Sequence, residues 1–167
     1  MNHATAKLIA TFFYAGLMKP APGTWGSLAA LPVAWVLHQI GGPLALTIAT
    51  IVAYMAGLYA TRAYTAGSDN HDPGEVVIDE VVGMWIALLP VSFGARMMGV
   101  DILALYPGWI VAFLAFRLFD ITKPGPIGAA DRRGDAAGVM LDDVYAGFAA
   151  GFTVIVLAYA AHGLLGA

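Results

Sequence analysis

The chain reads as an all-α, polytopic membrane helical bundle of about five apolar helices plus an N-terminal interfacial helix, one domain over residues 1–167. Composition is the first reason: 60% of the residues are hydrophobic and only 11% charged, whereas a soluble domain carries about 25% charged residues. The mean hydropathy is +0.77. Second, five long apolar runs are separated by breaks rich in glycine, proline and charge. Third, ten of the eleven carboxylates form three groups at the ends of those runs: Asp69, Asp72, Glu75, Asp79 and Glu80; then Asp120; then Asp131, Asp135, Asp142 and Asp143. An acid at mid-bilayer costs roughly 2.5–3.5 kcal/mol, so a membrane protein that keeps carboxylates at helix ends usually uses them.

Residues 1–21 hold an apolar stretch, Leu8 to Leu17, with no small-residue cleavage site before Lys19-Pro20. That predicts a retained interfacial helix rather than a signal peptide. The runs that follow are Leu28 to Ile40, Leu44 to Ala66, Val81 to Met98, Ile102 to Phe119 and Val144 to Leu165. A span needs about 20 residues, so the first is short and the second and fifth are comfortable. Gly41-Gly42-Pro43 is a sharp break between two helices, and Pro124, Pro126, Gly134 and Gly138 punctuate the longest polar loop.

If all five runs cross, Pro22 to Ser27, Ser68 to Glu80 and Asp120 to Asp143 share one face of the membrane. The Gly41-Gly42 turn, the Gly94 to Asp101 loop and the C-terminus take the other. Lys19, Arg62, Arg117, Lys123, Arg132 and Arg133 lie at or near the acidic face and Arg96 on the far one, so the positive-inside bias makes the acidic face cytoplasmic. A re-entrant Leu28 to Ile40 would strand Pro22 to Ser27 on the wrong side.

Within the first acidic group, Asp72, Pro73 and Glu75 read as N-cap, first helical position and capping-box glutamate. Asp79 and Glu80 then fall more than a turn inside that helix, where no cap needs them. Crowded carboxylates repel unless a divalent cation holds them. Arg117 and Asp120 suit an i, i+3 ion pair, and Arg117 and Lys123 are either snorkelling cations or receptors for a phosphate. Asp142 or Asp143 can cap the last helix; the pair together is a natural ligand source for Mg2+. Pro22-Gly23-Thr24-Trp25-Gly26-Ser27 precedes a helix and offers free amides and small hydroxyls to an anion, with Ser27 as the competing N-cap reading. The ending of a P-loop is missing. The four histidines form no ligand spacing, with only His71 beside the acids.

The absence of cysteine removes disulfides, thiolate metal sites and cysteine nucleophiles. A net charge of −3 without a basic run argues against nucleic acid. Hard carboxylate ligands, basic anion receptors and membrane placement suggest metal-assisted attack of water on a lipid phosphate. A divalent-cation transporter would carry acids on both faces and no cations beside them. Spacing does not decide which carboxylate takes the proton, although Asp79 or Glu80 is preferred.

Four ordered motifs sharpen this: Gly23-Thr24-Trp25-Gly26-Ser27-Leu28; His71-Asp72 with Asp79-Glu80-Val81-Val82-Gly83; Arg117-Leu118-Phe119-Asp120-Ile121-Thr122-Lys123-Pro124-Gly125-Pro126; and Gly138-Val139-Met140-Leu141-Asp142-Asp143. Together, from about Pro22 to Gly147, they resemble the phosphatidylglycerophosphatase A family. The resemblance implies a Mg2+-dependent enzyme of the bacterial inner membrane that hydrolyses phosphatidylglycerophosphate to phosphatidylglycerol and phosphate, the step before cardiolipin synthesis. It implies Asp79, Glu80, Asp120, Asp142 and Asp143 as metal ligands, with Asp79, Glu80, Asp120, Arg117 and Lys123 in the chemistry. Gly23, Thr24, Gly26, Ser27, Arg117, Lys123 and Arg132 would surround the phosphate, with His71, Asp72, Glu75 and Asp131 in support behind them. The alternative within the same chemistry is a broader lipid phosphatase acting on phosphatidic acid, lysophosphatidic acid or prenyl pyrophosphates.

Overall fold

The structure, a computed structural model, describes residues 1–67 and 73–165. Asp69, His71 and Asp72, named above, lie outside these residues. The described chain is helical, with no strand: α1 (His3–Ala10), α2 (Pro22–Tyr64), α3 (Ile78–Met98), α4 (Tyr106–Thr122), α5 (Pro126–Asp131) and α6 (Ala136–Leu165). Four of these, α2, α3, α4 with its preceding turn, and α6, are long and apolar enough to cross a membrane.

The first helix is shorter than the apolar stretch predicts. It stops at Ala10, and Phe12, Phe13 and Tyr14 all take positive φ. Thr11 supplies the stop, because its hydroxyl donates to the Lys7 carbonyl at 2.8 Å and accepts the Tyr14 N–H at 3.1 Å. The chain then turns back against the bundle, with Phe12 edge-on to Trp85.

Helix α2 is one helix only by hydrogen bonding. Gly41 and Gly42 leave helical geometry, with Gly42 at φ +61°, a conformation glycine adopts freely. Before them, Gly26 packs on Val77, Ala30 accepts the Trp85 indole N–H at 2.9 Å, and His38 meets Ser92 at 2.6 Å, so this arm runs parallel to α3. After them, Gly57 packs on Ile78 while Thr47 and Thr50 share a groove with Ile86 and Leu89, so the second arm runs antiparallel. The runs Leu28 to Ile40 and Leu44 to Ala66 are therefore the two arms of a hairpin. Counted from Pro22, the first arm is about 28 Å long and no longer too short to span.

Helix α3 is the axis of the bundle. In its most apolar window 61% of residues are buried, against 28% or less in the other long helices. Apolar all round, it is the helix to enclose. Gly83 lies against Phe116 and Gly108 against Val91, which sets α4 antiparallel to α3; Gly83 against Gly147, and Pro90 against Gly151, set α6 parallel. At Gly83 and Gly147 the helices touch backbone to backbone, since a Cβ on Gly147 would stand 2.5 Å from the Gly83 carbonyl oxygen.

This topology puts the start of α2, the end of its second arm, the start of α3, the end of α4 and the start of α6 at one end of the bundle. Every acidic group that the structure describes, except Asp101, lies there. Asp101 caps the turn before α4 at the far end, accepting the Leu103 N–H at 2.7 Å.

Candidate active site

Three helix starts and one helix end supply the site. Helix α3 begins at Ile78, not at Pro73 as the capping signature predicts, because residues 73–77 form a turn in which the Val76 N–H bonds the Pro73 carbonyl. Asp79 and Glu80 consequently stand in the first turn, where the helix dipole favours negative charge. Asp79 Oδ1 accepts the Glu80 N–H at 3.1 Å. Glu75 stands in the turn ahead of the helix, where it accepts a 2.6 Å hydrogen bond from the Tyr64 hydroxyl.

Helix α6 also begins early, at Ala136. Asp135 caps it, taking the Gly138 N–H at 2.7 Å, so neither Asp142 nor Asp143 is a cap. Both sit well inside the helix and are buried. A buried carboxylate with no capping duty needs another partner. Asp142 finds Lys123, 2.7 Å away, and Asp143 lies beside Asp79 and Asp120.

Carboxylate oxygens of Asp79, Glu80 and Asp143 lie within 4.8 Å of one another, the one group among the described residues spaced to hold a metal ion. Arg117 is clamped at 2.5 Å to Asp120, as its i, i+3 spacing predicts. Its guanidinium also approaches Glu80 across Gly23: a Cβ on Gly23 would lie 2.2 Å from Glu80 Oε1 and 3.2 Å from Arg117 Nη1. Four buried side-chain polar atoms among the described residues lack a hydrogen-bond partner, and three of them meet here: Glu80 Oε2, Asp143 Oδ1 and Arg117 Nε. Two acceptors and one guanidinium donor are thus left unpaired within one cluster.

The glycine-rich motif divides. Pro22 occupies the first helical position and the first intrahelical bond runs from Trp25 N–H to Ala21, leaving the Gly23 and Thr24 amides at the open helix start. Gly26 and Ser27 fall inside the helix, contrary to expectation. Gly26 is closed off by the Val77 side chain, and Ser27, fully buried, donates its hydroxyl to the Gly23 carbonyl at 2.8 Å instead of capping.

Lys123 ends α4 in the left-handed region, φ +45°, which swings its ammonium back to bond both Asp131 and Asp142. Burial alone would lower its pKa, but the two carboxylates outweigh that and raise it. It is a tie between α4, α5 and α6 rather than a free cation. Arg132 is exposed just after α5, with its guanidinium over Gly128. Gly83, Gly147 and Phe116, which close α3 against α6 and α4 beside the acids, were not singled out by their spacing.

The family model described as Phosphatidylglycerophosphatase A matches residues 8–158. A Phosphatidylglycerophosphatase A of Haemophilus influenzae is 37% identical over 154 residues, covering 91% of this chain and 88% of that protein. One of Escherichia coli is 32% identical over 142 residues, 84% of this chain and 76% of its own. A Bacteroides thetaiotaomicron protein bearing the name "Putative phosphatidylinositol-3-phosphatase" is 37% identical over 145 residues, 84% and 85% of the two chains. No solved structure matches. The apolar helices, the acids and guanidinium gathered at one end, and a family match along nearly the whole length lead to one assignment: the chain is an enzyme and membrane protein belonging to the phosphatidylglycerophosphatase A family.

Proposed function

We propose that the protein hydrolyses phosphatidylglycerophosphate to phosphatidylglycerol and inorganic phosphate with Mg2+, at the cytoplasmic face of a bacterial inner membrane, as a step of phospholipid synthesis. The observation that carries the reading is the trio Asp79, Glu80 and Asp143, with buried, unpartnered oxygens on Glu80 and Asp143 and an unpartnered nitrogen on Arg117 in the same cluster. Oxygen-only ligands of net negative charge suit a hard cation such as Mg2+, which keeps waters and takes substrate phosphate as a further ligand. When bound, the ion supplies Lewis-acid polarisation of the phosphoryl group and a more acidic water.

The residues divide the remaining work. Asp79, Glu80 and Asp143 would hold the ion, while Asp120 and Asp142 stand one layer out, positioning Arg117 and Lys123. Arg117, held by Asp120 through Nη1, keeps Nε for a phosphate oxygen, and the Gly23 and Thr24 amides present the positive end of α2 to the same anion. Water attacks phosphorus in line, its proton passes to a carboxylate of the trio, and the bond to the glycerol oxygen breaks as that oxygen takes up a proton. The six cations expected at this face support the cytoplasmic placement. The Bacteroides relative's name, also that of a lipid monophosphate phosphatase, supports the reaction class and leaves the headgroup as the variable.

The test is phosphate release from phosphatidylglycerophosphate in detergent micelles, with Mg2+ or with EDTA. Chelation is expected to abolish it, and Asp143→Asn or Asp79→Asn to lower kcat at least ~100-fold while the variants still fold. Undiminished turnover in EDTA, or preference for phosphatidic acid over phosphatidylglycerophosphate, would overturn the assignment.

A further inference from the structure

We propose that the groove walled by the second arm of α2, by α3 and by α6 is a binding site for an acyl chain of the substrate lipid. This rests on the lipid-phosphatase reading above and adds where the lipid lies. Two cavities make up the groove. One, of about 300 Å³, is lined among others by Thr50, Tyr54, Val82, Leu141 and Val144. The other, of about 640 Å³, continues along Pro90, Phe93, Met97, Gly151, Phe152 and Ile155. They share Ile86, Leu89 and Phe148, so they adjoin along one groove.

Three features choose a substrate chain as the occupant. The groove begins at the acids: Asp79, Val82, Ile86, Leu89 and Phe93 follow one stripe of α3, and Leu141 and Val144 flank Asp142 and Asp143 on α6. From Leu141 to Ile155 it descends about 21 Å into the apolar part of the bundle, the depth a fatty acyl chain reaches. Of the hydroxyls on its wall, those of Thr47 and Thr50 donate to the Pro43 and Leu46 carbonyls, so apart from the Tyr54 phenol the wall offers hydrocarbon.

The mouth is different in character. Leu141 also borders a smaller pocket of about 260 Å³ with Arg133 and Tyr145, which places a cation, ion-paired to Asp135 at 3.2 Å, where a phosphodiester would leave the groove. The outward face of α4 gives the contrast. Ile110, Leu114 and Leu118 are 53%, 60% and 58% exposed, and they line none of these three cavities.

The test compares dioleoyl with dihexanoyl phosphatidylglycerophosphate in micelles. Gly151→Leu adds bulk to the groove wall at a position where a Cβ meets Pro90 at 3.4 Å and the Ile86 carbonyl oxygen at 3.5 Å, ordinary contacts. It is expected to lower kcat/KM for the dioleoyl lipid about tenfold and leave the dihexanoyl lipid unchanged, because only the long chain contributes remote binding energy. Phe152→Ala, at an exposed wall position, should give a smaller loss with the same selectivity and guards against misfolding of the first variant. On wild-type protein, a phosphatidylglycerophosphate bearing a diazirine at the chain end should label the Phe152 to Ile155 segment, with competition by dioleoyl phosphatidylglycerophosphate and not by phosphatidylcholine. Equal losses on both lipids, no loss on either, or labelling of Ile110 and Leu114 without such competition would overturn the proposal. Failure of wild type to release phosphate from either lipid would instead strike the phosphatase reading itself.

Discussion

Gly23 shows how narrowly the site is drawn. Its missing side chain leaves the space that Glu80 Oε1 and Arg117 Nη1 occupy, so its role is to be absent where two charged groups converge. Gly23→Ala would push the end of a flexible glutamate rather than backbone, so the melting temperature should barely move. The displaced carboxylate should lower kcat by at least ~10-fold, because about an ångström of misplacement at a site costs that much or more. Thermal unfolding beside phosphate-release kinetics separates the two. The acids and Arg117 could be found in the sequence because a charge inside an apolar chain is conspicuous and expensive. Ser27 misled for an equally physical reason: a serine near a helix start reads as a cap, and only coordinates reveal a hydroxyl turned back to its own i−4 carbonyl.

At the level of helices, existence was legible and beginnings were not. The Asp72-Pro73-Glu75 signature mimics a start five residues before the real one at Ile78, and Asp142-Asp143 mimics a start that Asp135 already provides. Those shifts matter chemically, because they move Asp79 and Glu80 into a first turn and bury Asp142 and Asp143 in a helix interior. The crossing of α3 and α6 is the other element-scale feature. Gly147 faces the Gly83 carbonyl and Gly83 faces the Asp143 carbonyl, contacts backbone atoms cannot relieve. Gly147→Ala is expected to cost about 1–3 kcal/mol as the helices are forced apart. It should also weaken Mg2+ activation, since Asp143 rides on the displaced helix. Denaturation in mixed micelles and a Mg2+ titration of activity measure the two effects. Nothing in the sequence marked that crossing, because a packing glycine is defined by what stands opposite it.

Over the whole molecule, the alternation of apolar runs was enough to bring the start of α2 and the acids of α3, α4 and α6 to one end, and the structure has them there. The Gly41-Gly42 reversal was decisive, since it makes a hairpin of one long apolar tract and keeps the later helices in phase. Hydropathy could not show the order of enclosure, with α3 at the axis. It also could not show that the N-terminal segment belongs to the bundle.

That segment lends α3 a hydrogen bond. The Val77 N–H, just ahead of the first turn that carries Asp79 and Glu80, donates to the Ala10 carbonyl at 2.9 Å, and Gly16 nests beneath the Glu75 carbonyl with no room for a methyl group. The polypeptide's opening stretch is thus a footing for the reaction centre, some sixty residues distant along the chain. Removing residues 1–14 should depress turnover several-fold more than it depresses binding of the lipid, as kcat against KM would reveal. An affinity tag fused at the front of this enzyme would be tugging on the masonry beneath its own hearth.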